Sequence, residues 1–221
     1  MFGAARNGII GREAEGKIVS VGTGNVGKFK VGDRVVWLSY GSYAEFTAVP
    51  ASLAFPVPSD VEPGMGAAAL LQGLFALILV EKNVRVKPGD WVLVHAAAGG
   101  VGLWLCQLLK AQGARTIGTA STAEKLAIAK EHGADYVINY KEESDLVARV
   151  EEITQGHGVD IVLDGIGKDQ TWNNVLVVAQ HGTIVTYGAT VSGVSRFVLN
   201  CVEAQTNRDS LATQDRCHTA S

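Results

Sequence analysis

The spacing of apolar positions changes character partway along the chain. Up to Pro58 they fall in short β-prone runs: Lys17-Ile18-Val19-Ser20-Val21, Arg34-Val35-Val36-Trp37-Leu38 and Tyr43-Ala44-Glu45-Phe46-Thr47-Ala48-Val49. Turn formers separate them at Gly22-Thr23-Gly24-Asn25, Gly32-Asp33 and Gly41-Ser42. This predicts a largely antiparallel β piece from about Gly11 to Pro58. Ala67 to Val80 is apolar at most positions and reads as a helix buried between two parts of the molecule. After Pro88-Gly89-Asp90 the texture alternates. Val92–Val94, Arg115–Ala120, Tyr136–Ile138, Val159–Asp164 and Gly182–Tyr187 read as strands, with helical spacing between them. Strands alternating with helices predict an α/β fold with a doubly wound parallel sheet. Cys201 to Ser221 is polar and aperiodic, the pattern of a disordered tail. The expected organisation is a β domain with its connecting helix over 1–88, a nucleotide-binding domain over 89–200 and a tail over 201–221.

The junction of the first of these strands with its helix carries the chemistry. Val92-Leu93-Val94-His95 runs into Ala96-Ala97-Ala98-Gly99-Gly100-Val101-Gly102, and apolar residues then resume at helical spacing from Leu103 to Lys110. A strand, a glycine turn and a helix start let a pyrophosphate approach bare backbone and meet the free N–H groups of the helix. Ala97 stands where the usual G-x-G-x-x-G has its first glycine, whereas Gly99 and Gly102 keep the other two. A glycine-rich turn alone is equally a tight connection; the alternating pattern that follows favours dinucleotide binding.

The end of the second strand distinguishes the two nicotinamide dinucleotides. An NAD site places a carboxylate about 20 residues past the glycines, on the ribose 2′-hydroxyl. Here that neighbourhood is Thr119-Ala120-Ser121-Thr122-Ala123, with Lys125 one helical turn on. Two hydroxyls and a cation without an acid favour the 2′-phosphate of NADPH. The competing reading has Lys125 on a solvated helix face, with Glu124 weakening its field.

Composition narrows the remaining classes. With 19 basic and 22 acidic residues the formal charge is −3, which gives no electrostatic case for dedicated nucleic-acid binding. Gln72, Glu81 and Lys82 interrupt the longest apolar stretch, so no membrane-spanning run is expected. Residues 1–12 lack the order of a secretion signal, and a cytoplasmic protein is the default. Cys106, Cys201 and Cys217 show neither disulfide nor metal spacing, and no two of the five histidines form an i, i+4 pair.

Several spaced motifs together carry a family resemblance. Gly11-Arg12-Glu13, Val31-Gly32-Asp33-Arg34-Val35, Gly41–Phe46, Leu70-Leu71-Gln72-Gly73-Leu74 and the Ala96–Gly102 turn resemble the zinc-independent quinone oxidoreductases. These are the zeta-crystallin-like branch of the medium-chain dehydrogenase/reductase superfamily. Val137-Ile138-Asn139-Tyr140, Asp164-Gly165-Ile166-Gly167 and Tyr187-Gly188 continue the match in order, over roughly residues 11 to 200. The resemblance implies a partial GroES-like β domain before a Rossmann domain, with NADPH as cofactor and reduction of quinones or related conjugated carbonyls. It places Gly100 and Val101 at the pyrophosphate turn, with Ser121, Thr122 and Lys125 around the 2′-phosphate. Tyr140 falls beside the adenosine, and Tyr187 and Gly188 nearer the nicotinamide. It implies no metal, because Arg12 stands where zinc-dependent relatives have a ligand histidine and offers no lone pair. No side chain presents itself as a general acid, and no catalytic residue is assigned.

The resemblance also implies strands before Met1 and a sixth Rossmann strand after residue 200, so the chain reads as a truncated form with five of six strands. An open sheet edge of that kind predicts instability or self-association. Phe75 stands where relatives carry a small hydroxyl residue. Two alternatives stay open: an alkenal or enoyl reductase on the same scaffold, and a nucleotide-binding chain without turnover.

Overall fold

The computed structural model describes residues 8–167, 171–187 and 197–200. The chain divides into two compact units, Met1–Phe75 and Ala76–Ser221.

The first unit holds a three-stranded antiparallel sheet in the order β1 (Glu13–Lys17), β2 (Arg34–Leu38), β3 (Ala54–Pro56). β1 lies earlier than the sequence pattern suggests, because Glu13 pairs with Leu38 and the ladder ends where Lys17 meets Arg34. The Tyr43–Val49 run forms no strand. Its neighbourhood bonds locally instead: Ser42 Oγ donates to the Ser39 carbonyl at 2.6 Å, and Thr47 Oγ1 donates to that of Gly41 at 3.2 Å. Such side-chain bonds compete with a ladder, and Tyr43 and Phe46 are left exposed. Glu15 anchors the helix that follows, accepting from Arg34 Nε at 2.6 Å and from the Gly66 N–H at 2.9 Å.

The apolar stretch after β3 forms α1 (Met65–Leu70), a break at Leu71, α2 (Gln72–Ile78) and a π-helical turn, Leu79–Val84. Ala76, Leu79 and Val80 are buried, whereas Met65, Leu71, Leu74 and Ile78 are exposed, so burial is one-sided rather than complete. By length and composition Met65–Val84 suffices to cross a membrane, with mean hydropathy 1.5. This corrects the expectation from sequence: Gln72 is uncharged, and Glu81 and Lys82 fall only in the last turn.

The second unit is the doubly wound sheet. Its strands are β4 (Trp91–Val94), β5 (Arg115–Ala120), β6 (Tyr136–Asn139), β7 (Val159–Asp164), β8 (Val178–Thr186) and β9 (Phe197–Asn200), in the spatial order β6-β5-β4-β7-β8-β9. The first five are parallel; β9 runs antiparallel to β8, from Thr186 opposite Phe197 to Thr183 opposite Asn200. The five parallel strands are those expected from the sequence. Beyond them the antiparallel Phe197–Asn200 run pairs with part of the β8 edge.

Helices α3 (Gly100–Ala111), α4 (Ala123–Glu131), α5 (Leu146–Thr154) and α6 (Thr171–Val177) connect the parallel strands. β4 is buried along its whole length, and β7 nearly so, as central strands covered on both faces must be. Leu93, Ile117, Ile138, Val150 and Val162 join one core cluster. The order reverses between β4 and β7, where open α/β sheets form their ligand crevice.

Candidate dinucleotide site

The site grows from the end of β4. The turn begins at Ala96, whose φ of 53° lies in the left-handed region, and closes with Gly99 N–H donating to the Ala96 carbonyl at 2.8 Å. Gly102 makes the turn feasible. A Cβ there would lie 2.3 Å from the Ala96 oxygen and 2.7 Å from that of Ala97, so only glycine lets α3 start so close to the strand. Gly99 is the N-cap of α3 and no side chain caps the helix, leaving the first-turn N–H groups for an anion.

A cavity of about 170 Å³ opens above this turn, lined by Ala96, Ala98, Gly99, Ala120, Ser121, Lys125, Tyr140 and Ile166. It collects the ends of β4, β5, β6 and β7 in one place. Tyr140 N–H donates to the Ala120 carbonyl at 3.2 Å, tying the residue after β6 to the end of β5. None of the lining residues is a carboxylate, and Lys125 is the cation among them.

Of the residues singled out in the sequence, Gly99, Ser121, Lys125 and Tyr140 meet at this cavity. Gly100 and Val101 form the first turn of α3 beside it. Thr122 precedes Lys125 at the start of α4. It is the N-cap of α4, its Oγ1 accepting from the Lys125 N–H at 3.3 Å, and the Glu124 carboxyl is held below the usual range by Glu124's own backbone N–H and then by the Thr122 hydroxyl. Tyr187 lies at the end of β8, where its N–H donates to the Asp164 carbonyl at 2.9 Å and its ring packs at Gly165. Burial pushes its phenol pKa up, and the Asp164 charge adds to this. Gly188 lies outside the described residues.

Composition gave no hint of a buried polar chain beneath the cavity. His95, Thr119, Asp164 and Asn174 are all at most 1 % exposed. Asn174 Nδ2 donates to Asp164 Oδ2 at 2.9 Å, which turns its Oδ1 toward His95 Nε2 at 2.7 Å. His95 Nε2 therefore carries the proton, and Nδ1 accepts from the Thr119 hydroxyl at 3.0 Å. Asp164 Oδ1 accepts from the N–H groups of Ile166 at 2.8 Å and Gly167 at 3.0 Å. Burial holds the His95 pKa below its ordinary value, although Asp164 and Asn174 work against that, and the ring is neutral. The motif Asp164-Gly165-Ile166-Gly167 was the only sequence signal for this chain; His95 by itself reads as an ordinary core histidine.

In the first unit the Arg12 guanidinium stacks over the Tyr40 ring at 5.0 Å. Among the described residues no three His, Cys, Asp or Glu side chains converge as a metal site would require.

Residues 100–208 match the family described as zinc-binding dehydrogenase, and residues 3–59 match the alcohol dehydrogenase GroES-like domain. A probable quinone oxidoreductase of Schizosaccharomyces pombe is 42 % identical over 198 residues, which are 89 % of this chain and 59 % of that protein. A 2-haloacrylate reductase of a Burkholderia species is 38 % identical, over 85 % of this chain and 56 % of its own length. The crystal structure of Escherichia coli quinone oxidoreductase complexed with NADPH superposes with a TM-score of 0.78 at 40 % identity, covering 84 % of this chain and 57 % of that one. The chain thus spans a little under three fifths of the relatives it matches. With both family matches in the expected order and the glycine turn opening the parallel sheet, the chain belongs to the medium-chain dehydrogenase/reductase superfamily, and it is similar there to quinone oxidoreductases and a 2-haloacrylate reductase.

Proposed function

We propose that this chain binds NADPH in the crevice above β4, β5 and β7, and that the protein reduces quinones or related conjugated carbonyls without a metal. The observation that carries the reading is the cavity itself. Gly99, Ser121, Lys125 and Tyr140 converge on it with no carboxylate to repel a 2′-phosphate. The bare backbone at Gly99 and Gly102 fits a pyrophosphate over the uncapped start of α3. Gly100 and Val101 would offer N–H groups to it, Ser121 and Lys125 would hold the 2′-phosphate, and Tyr140 would cover the adenosine. Thr122 would join Ser121 and Lys125 at the 2′-phosphate while starting the helix that carries the lysine. Tyr187 and Gly188 would border the nicotinamide end. NADPH, when bound, supplies a hydride for an electron-poor ring or enone; the protein's part is orientation and exclusion of water.

Arg12, a cation stacked on Tyr40, supports the metal-free reading despite the zinc in the family description. A second reading, reduction of an activated alkene, is favoured by the 2-haloacrylate reductase relative. The reading also places the protein in the cytoplasm, with small molecules as its substrates. Loss of NADPH absorbance with a small quinone, persisting in a chelator, is the expected result. Activity confined to 2-haloacrylate would favour the second reading. Turnover abolished by the chelator would overturn the metal-free assignment, and failure to bind NADPH would overturn the whole reading.

A further inference from the structure

We propose that the buried chain Thr119–His95–Asn174–Asp164 is a positioning device that sets the floor of the dinucleotide crevice by holding the turn that carries Ile166. This rests on the assignment of the cavity to NADPH.

The argument begins from direction. Every donor in the chain points the same way, from the Thr119 hydroxyl through His95 and the Asn174 amide to Asp164. Asp164 ends the chain as an acceptor and spends its other oxygen on the N–H groups of Ile166 and Gly167. The links lie on four elements: β5, the end of β4, α6 and the end of β7. Thr119 directly precedes Ala120 and Ser121 on one wall of the cavity, and Ile166 lies on another. The chain therefore joins two walls of the site from below, across the point where strand order reverses. A hydrophobic filling of the same volume would satisfy the core without fixing the β7–α6 turn; four fully satisfied buried polar groups are the costlier choice, suited to a single geometry.

None of these four side chains lines the cavity, so their effect on binding is indirect, through Ile166. Among the described residues the other titratable group facing the chain is Tyr187, beyond β8, through Asp164. Burial raises its phenol, so it does not change charge near neutrality.

The test is NADPH titration of the full chain by nicotinamide fluorescence. Asn174→Ala removes the link between His95 and Asp164 and should weaken NADPH binding about tenfold. Asn174→Ala and Ile166→Ala with their double variant decide the matter. Should Asn174→Ala not fold, Thr119→Val, which removes the first donor of the same chain, takes its place in the cycle. Non-additive losses support transmission through Ile166, and additive losses overturn it. If the unaltered chain fails to bind NADPH while folded, the cavity assignment fails first and this proposal with it.

Discussion

Lys125 and His95 illustrate two ways in which one side chain serves a dinucleotide site. Lys125 acts by charge at the cavity wall, and the absence of an acid after β5 gives that charge no competitor among the lining residues. Lys125→Ala should therefore weaken NADPH binding about tenfold while leaving NADH nearly unchanged. Parallel fluorescence titrations of the two cofactors check this; equal losses for both would remove Lys125 from the 2′-phosphate. His95 acts by being neutral. Its folded pKa is depressed below the ordinary 6.5, so the unfolded chain binds a proton that the fold refuses. The sign follows directly: the full contribution is present above about pH 6.5, and stability falls as pH drops below it, by about 1.4 kcal/mol per pH unit until the folded ring itself protonates. Urea unfolding across that range, compared with His95→Gln, should show one proton's worth of slope lost in the variant. An unchanged slope would show that His95 is not the group responsible.

The strand–turn–helix element explains why so much of the site could be read from sequence. Glycines at 99 and 102 are required by backbone approach, and a requirement of that kind is visible in a bare string of residues. Gly102→Ala should destabilise the fold by about 1–3 kcal/mol, since the new Cβ meets two backbone oxygens that cannot turn away. A denaturation midpoint equal to that of the unaltered chain would contradict this. Strands β4 and β7 were equally legible, because near-continuous apolar runs bounded by glycine permit few other structures. The failures have physical causes too. Tyr43–Val49 has strand composition, yet local hydroxyl bonds around Gly41 and Ser42 take the place of a ladder. The His95–Asn174 link spans 79 positions, and no local pattern encodes a bond of that reach.

The two units differ in how much apolar surface they hide, and this difference governs the behaviour of the molecule as a whole. In the first unit, among the described residues, Val35 and Val36 are the only buried hydrophobic side chains, while Tyr43, Phe46, Leu53 and Phe55 are exposed. The second unit buries Leu93, Ile117, Val162 and Leu163 completely or almost so on strands paired on both sides, and Leu105 and Leu109 on the helix α3. Local opening is least costly where few buried contacts must be broken, so protection from exchange should divide along the same boundary. Backbone amides of Val92, Leu93, Val94, Ile117 and Leu163 should exchange slowest, and those of β1 and β2 at least about a hundredfold faster, a gap of roughly 3 kcal/mol in opening free energy. NADPH should slow the second set little and the first-named amides near the glycine turn further, since a ligand stabilises the unit that binds it. Hydrogen exchange followed by mass spectrometry or NMR, with and without NADPH, measures both effects. Equal protection of the two units would mean that the three-stranded sheet and the doubly wound sheet unfold as one, and the stability of the molecule would then rest on more than the apolar core of the second unit.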